Sequence, residues 1–301
     1  MKHKKQTSNV PSVFSKRRVN LLYVPAVLLF LVFPIYPLIN GFALSFTDWN
    51  GYSAGYNNVG AKNYLRLFTD EIFLSALINT LIYGFGSTLI QQILGLSLAL
   101  ALDRKFRGRT VMRAIVYLPV LISPVVMGTM YYLLFAYNYG GLNDIMIAFG
   151  LDRVAWLSNP HLAIVIIVLV NSIQFVGISM VIYLAGLQSI PQMYLEAAAV
   201  DGAVGWTRFR SITMPLLQPA FATSIVLNLI GGLKLFDVIQ VLTGGGPGYS
   251  THSISTLISK TYFDSQTAGY ASAMGIVLFI TIAAFTFVLN SWFNKHQVEG
   301  A

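Results

Sequence analysis

Long stretches of this chain carry no charge, and each has the length of a membrane crossing. Arg18 and Asp48 bracket 29 uncharged residues, Glu71 and Asp103 bracket 31, Arg113 and Asp144 bracket 30, and Asp264 and Lys295 bracket 30. A helix needs about 20 apolar residues to cross the hydrocarbon core. In lipid every backbone polar group must be paired inside the protein, and a helix does this within one segment. The run from Arg153 to Glu196 holds 42 uncharged residues, room for one span and flanking loops. The run from Arg210 to Lys234 holds 23 and continues past Asp237 to Thr243. Only 10% of the 301 residues are charged and 55% are hydrophobic. A soluble domain carries about 25% charged residues. The predicted architecture is all-α: a polytopic membrane protein with six transmembrane helices, near 21–46, 74–102, 112–137, 162–187, 216–241 and 268–293.

The first span is too long for the apolar region of a secretory signal, and no small-residue cleavage site follows it. With no cysteine, disulfides and thiol chemistry are excluded. The cations set an orientation. Lys2, Lys4, Lys5, Lys16, Arg17 and Arg18 precede span one, and Arg104, Lys105, Arg107, Arg109 and Arg113 lie between spans two and three. With Arg208, Arg210 and Lys295, 14 basic residues fall on one side. The other side has four: Lys62, Arg66, Arg153 and Lys260. Positive loops stay inside, so both termini are expected in the cytoplasm. The net charge of +8 is then a topology signal. It is no nucleic-acid footprint, which would need a basic face on a soluble fold.

Four regions are expected: a basic tail over 1–20, the first helix and its external loop over 21–72, a five-helix core over 73–293, and a short tail over 294–301. External segments are expected at 47–72, 138–160 and 242–267. The last opens on Thr243-Gly-Gly-Gly-Pro-Gly248.

The segment 188–215 is long for an internal connector. Ser189-Ile-Pro-Gln192 offers a capping hydroxyl, an early proline and a Gln three residues after the Ser. Helix formers follow, from Tyr194 to Ala199, and Asp201-Gly202 breaks them, because glycine reaches the positive φ that ends a helix. A second short helix is predicted from Val204 to Ile212, with Trp206, Phe209 and Ile212 on one apolar face. Pro215 is expected to end it. An ordinary interfacial loop and a docking element fit these signals equally well.

Glu196-Ala197-Ala198, three residues, Gly202, nine residues, Ile212, and then a hydrophobic residue before Pro215 resembles the EAA loop of permease subunits of bacterial binding-protein-dependent ABC importers. Met214 stands where a leucine is usual. The resemblance runs from about residue 60 to the C-terminus. It includes Asn63-Tyr64, Phe68, Phe73, Ala76-Leu77 and Asn79-Thr80-Leu81, then Leu184-Ala-Gly-Leu-Gln-Ser-Ile-Pro191, and Phe236-Asp237 with Leu242-Thr243-Gly-Gly-Gly-Pro247. These are similar to the sugar branch, in particular to the first permease subunit of maltose, lactose and glycerol-phosphate systems. The resemblance implies a type I importer bundle with cytoplasmic coupling helices, paired with a second homologous permease. It implies cytoplasmic ATPase subunits that grip Glu196, Ala197, Ala198, Asp201, Gly202, Ile212 and Pro215, and an extracytoplasmic binding protein that delivers the solute. No cofactor is expected on this chain. It has no phosphate loop of the Gly-x-x-x-x-Gly-Lys-[Ser/Thr] kind, so ATP would be used by the partner and the chain itself is not an enzyme.

Polar groups inside a bilayer face a cavity or a neighbouring helix. Span four carries Asn171, Gln174, Phe175 and Ile178; Asn171, Gln174 and Ile178 are expected to share one face. Span five carries Asn228, Gly231, Gly232, Lys234, Phe236 and Asp237, and Lys234 and Asp237 are spaced to pair on one helix. The resemblance implies that these two spans line the solute path. Gln91-Gln92 and Tyr131-Tyr132 are weaker candidates, and His161 reads as a helix-end group. The histidines show no metal-ligand spacing. Two other classes fare worse. An ion-coupled secondary transporter would need intramembrane carboxylates and inverted repeats, and only Asp237 qualifies. An intramembrane enzyme would need a catalytic cluster, which the spans lack.

Overall fold

The computed structural model describes residues 16–295, with side chains described from Tyr23 onward. The cations Lys2, Lys4 and Lys5, with His3 and His296, lie outside the described residues. Among the described residues there is no strand, and a single bridge joins Thr47 to Asn58. Four helices are long and apolar enough to cross a membrane: Tyr23–Leu44, Glu71–Asp103, Pro160–Ser189 and Ala268–Lys295. They form spans one, two, four and six. Two further spans are bent pairs, Arg109–Leu121 with Pro124–Phe135 and Gly205–Leu216 with Gln218–Leu233.

Both bends depart from the straight helices expected at 112–137 and 216–241. In span three the axis turns by 96° at Ile122 and Ser123. Pro124 disfavours a helical conformation in the residue before it, and Ser123 adopts ψ 134°. The turn frees the carbonyl of Ile122, which accepts a hydrogen bond from Gln174 Nε2 on span four at 3.3 Å. In span five the axis turns by 67° next to Leu217. The helix therefore runs through Pro215 to Leu216, where it was expected to stop. Proline is tolerated there because Met214–Leu216 begins a new turn after a π-helical one. The 16 residues of Gln218–Leu233 rise about 24 Å, short of the roughly 30 Å core. A separate helix, Asp237–Leu242, completes the depth.

Spans two and four form the central contact, with spans three and five laid against span four. Small residues allow the close approach. A Cβ on Gly232 would lie 2.8 Å from Gly84 Cα and 3.1 Å from the Tyr83 carbonyl, so spans two and five meet backbone to backbone. Gly95 faces the Met180 amide of span four in the same way, and Gly177 faces Val116 and Tyr117 of span three. Hydrogen bonds cross the same seams. Gln92 Oε1 accepts from Tyr183 of span four at 2.5 Å and from Ser224 of span five at 2.8 Å. Span one stands outside this core, packing on span six through its C-terminal part. There Asn63 donates to the Ser45 and Thr47 carbonyls, and the Gly269 amide donates to Trp49.

Candidate functional site

Two places gather the candidate residues: a cavity halfway along the bundle, and the loop at one end of it.

The cavity has a volume of about 300 Å³. It opens because span five breaks at Lys234, Leu235 and Phe236, where Phe236 takes φ −131° and ψ −63°. The freed Leu235 carbonyl is satisfied by Ser253 Oγ at 2.7 Å. Asn171, Phe175 and Ile178 line the cavity from span four, and Asn228, Gly232, Lys234 and Asp237 from span five. Gln91 lines it from span two and Pro124 from the bend of span three. Asn171 is 2% exposed, and its side chain has no hydrogen-bond partner among the described residues, while its carbonyl accepts from Gln91 Nε2 at 3.1 Å. Its amide is therefore free for a solute. Asn228 Nδ2 is already committed to Ser179 Oγ at 2.7 Å and to the Ser224 carbonyl at 2.9 Å, which makes it a helix-to-helix tie as well as a cavity wall.

Two expectations fail here. Gln174 shares the helix face of Asn171 and Ile178 but does not line the cavity: it is buried and donates to the Ile122 carbonyl of span three. Lys234 and Asp237 form no ion pair; among the described residues that distinction falls to Lys260 and Asp264 at 3.6 Å. A continuous helix would have placed Lys234 over Asp237, but the helix breaks between them, and both exposed side chains border the cavity without pairing. Gln91, a weaker candidate in the sequence, joins the cavity wall, and Pro124 becomes clear as a cavity residue only in three dimensions.

At the end where Asp103, Arg104 and Leu187 come together, the loop folds as Gln192–Val200, a turn, and a second helix from Gly205. Ser189 does not cap the first helix; its hydroxyl donates back to the Gly186 carbonyl at 2.8 Å. The stop signal behaves as expected. Gly202 has φ +76°, its amide donates to Ala199, and the Ala203 amide donates to Ala198 at 2.8 Å. This double bond pattern satisfies the carbonyls of the last turn and fixes the chain reversal. Ala198 is buried beneath the reversal, while Glu196, Ala197, Asp201 and Gly202 are exposed. Ile212 and Pro215 are half-buried at the root. Around the reversal stand apolar side chains that the sequence did not single out as exposed: Met193, Val200 at 88% and Val204, with Trp206 at 72%. An apolar patch with a charged rim of Glu196, Asp201 and Arg208 has the composition of a protein-docking surface.

The description "binding-protein-dependent transport system inner membrane component" belongs to the family model that matches residues 91–298. A trehalose/maltose transport system permease protein of Thermococcus litoralis is 37% identical, covering 93% of this chain and 96% of that protein. A probable starch degradation products transport system permease protein of Thermoanaerobacterium thermosulfurigenes is 34% identical, covering 93% and 94%. Among solved structures, a bacterial alginate ABC transporter in complex with an alginate pentasaccharide-bound periplasmic protein matches with a TM-score of 0.81 and 28% identity, over 95% of this chain and 98% of that one. With a bent six-span bundle, a cavity lined by amides and apolar side chains and a helix–glycine–helix reversal at its end, this chain belongs to the family of inner membrane components of binding-protein-dependent transport systems.

Proposed function

We propose that this chain carries a carbohydrate across the cytoplasmic membrane as one permease of an ATP-driven importer. The observation that carries the solute class is the free amide of Asn171 in a wall that also holds the aromatic rings of Phe175 and Phe236. Sugars present hydroxyls at their edges and C–H surfaces on their faces, so an amide and an aromatic wall are the groups that suit them. The named sugar transporters among its relatives support the same class. The powering element is the reversal at Glu196–Gly202, docked into a separate ATPase, and the cation distribution supports a cytoplasmic position for it. A second permease would complete the cavity, and a binding protein would load it from outside. Ion-coupled transport has only Asp237 to work with as a carboxylate in the cavity wall.

The test is uptake into proteoliposomes holding the whole importer, with ATP inside and a panel of labelled sugars and amino acids outside. Sugar uptake that needs ATP is the expected result. Asn171→Ala should slow it roughly tenfold, the scale of a lost buried hydrogen bond, while the complex still assembles. Uptake of an amino acid alone, or uptake driven by an ion gradient without ATP, would overturn the reading.

A further inference from the structure

A second cavity of about 350 Å³ lies at the end of the bundle away from the Glu196 loop. Its walls are Tyr132, Phe135, Tyr137 and Trp156, with Thr243 and Pro247 closing the far side. Two of its rings are held in place. Trp156 Nε1 donates to Asn143 Oδ1 at 3.0 Å, and the ring meets Phe135 edge-on at 6.2 Å. Asn143 is fully buried and also donates to the Tyr137 and Val154 carbonyls, so one amide ties the wall to its supporting loops. Tyr132 and Tyr137 are about half exposed and carry free hydroxyls. Four aromatic rings with hydroxyls at the rim form a surface suited to the faces and edges of a pyranose.

The position of this cavity is as telling as its chemistry. The helix Asp237–Leu242 borders the central cavity with Asp237 and Val238, and borders the second one with Leu242 and Thr243. Val238 and Leu242 are four residues apart and share a helix face. The two cavities therefore lie along one side of one short helix, about 6 to 8 Å apart in rise.

We propose that the second cavity is a carbohydrate subsite that holds the trailing ring of an oligosaccharide while a leading ring occupies the central cavity. This rests on the carbohydrate reading above and adds that the solute is longer than one ring. The subsite favours chains because a single ring can fill only one of the two cavities.

The experiment measures transport by the whole importer at saturating binding protein, for glucose against maltotriose, glucose against cellotriose, and arabinose against arabinotriose. In Tyr132→Ala and Tyr137→Ala the trisaccharide-to-monosaccharide ratio should fall roughly two- to tenfold, the scale of one lost aromatic contact. Tyr137→Phe, which keeps the ring, should retain it. Tyr139→Ala, at an exposed residue outside the cavity, should leave both rates unchanged. A ratio that does not move in either alanine variant overturns the subsite while leaving carbohydrate transport intact. So does an equal loss of both rates that follows a weakened affinity for the binding protein, which would make the cavity a protein-docking face. A wild type that carries monosaccharides alone also overturns it. A wild type that carries no sugar fails earlier, at the carbohydrate reading itself.

Discussion

His252 sits just before the short helix Ile254–Ser259, with its ring pressed against Gly245 and its Nδ1 2.9 Å from Thr256 Oγ1. Neighbouring carbonyls are held from span two. Asn79 donates to Ser250 and His252, and Tyr83 to Thr251. Burial, helped by the positive charge of Lys260, lowers the imidazole pKa to about 4 from its usual 6.5. The folded loop thus holds a neutral ring, whereas the opened loop would take up a proton below about pH 6.5. The loop is fully stable above that value and loses stability as the pH falls toward 4. Amide hydrogen exchange over 243–253, corrected for its intrinsic pH dependence, should show opening that rises by up to about tenfold per pH unit in that window. Protection that stays level from pH 7 to 4.5 would sink the assignment. In the sequence His252 was only a loop residue. Its burial depends on Gly245 and on two side chains from span two, contacts that no local pattern announces.

Gly232 illustrates what decides the fit of the elements. Gly232→Val would drive a side chain into the backbone at Gly84 and Tyr83, where neither neighbour can rotate away. Overpacking of this kind costs about 1–3 kcal/mol. The detergent-solubilised protein should melt several degrees lower, while Gly41→Ala, which meets open space on span one, should melt as the wild type does. Equal melting of the two variants would show that spans two and five are not packed as described. The number of spans, their order and the ending of the loop helix at Asp201 and Gly202 were legible in the sequence, since charge spacing and turn chemistry are local signals. The bends were not. Pro124 and Pro215 look alike as helix breakers, yet Pro124 marks a 96° turn and the helix continues through Pro215. Packing against span four, with Gln174 meeting the freed Ile122 carbonyl, accompanies the first break. That same contact engages Gln174, which is not among the residues lining the cavity.

At the scale of the molecule, the bundle presents a cavity in its middle and an apolar, charge-rimmed reversal at one end. In the proposed importer, coupling between them would require that the reversal be rigid and held by a partner. Val200 is the most exposed apolar side chain of that surface among those named. Val200→Asp would place an unpaired charge in the docked contact, and Glu196→Lys would reverse the rim charge. Each should cut co-purification of the ATPase by an order of magnitude or more, as loss of a docking hot spot does. Membrane insertion should be unchanged, because neither residue is part of a span. Full retention of the ATPase in both variants would place the coupling surface elsewhere.

The sequence by itself determined that the chain is a multi-span membrane protein with a helix–glycine–helix loop, because bilayer thickness and positive φ constrain composition residue by residue. It also named most of the cavity wall, since amides are costly in lipid unless something meets them. Only the tertiary structure decided which amide is free. Asn171 and Asn228 are chemically identical, and the difference lies in Ser179 and Ser224 standing beside one of them. The cavity itself exists because span five stops at Lys234 and resumes at Asp237. That break is stabilised by a serine 18 positions further along the chain, a partnership that folding alone creates.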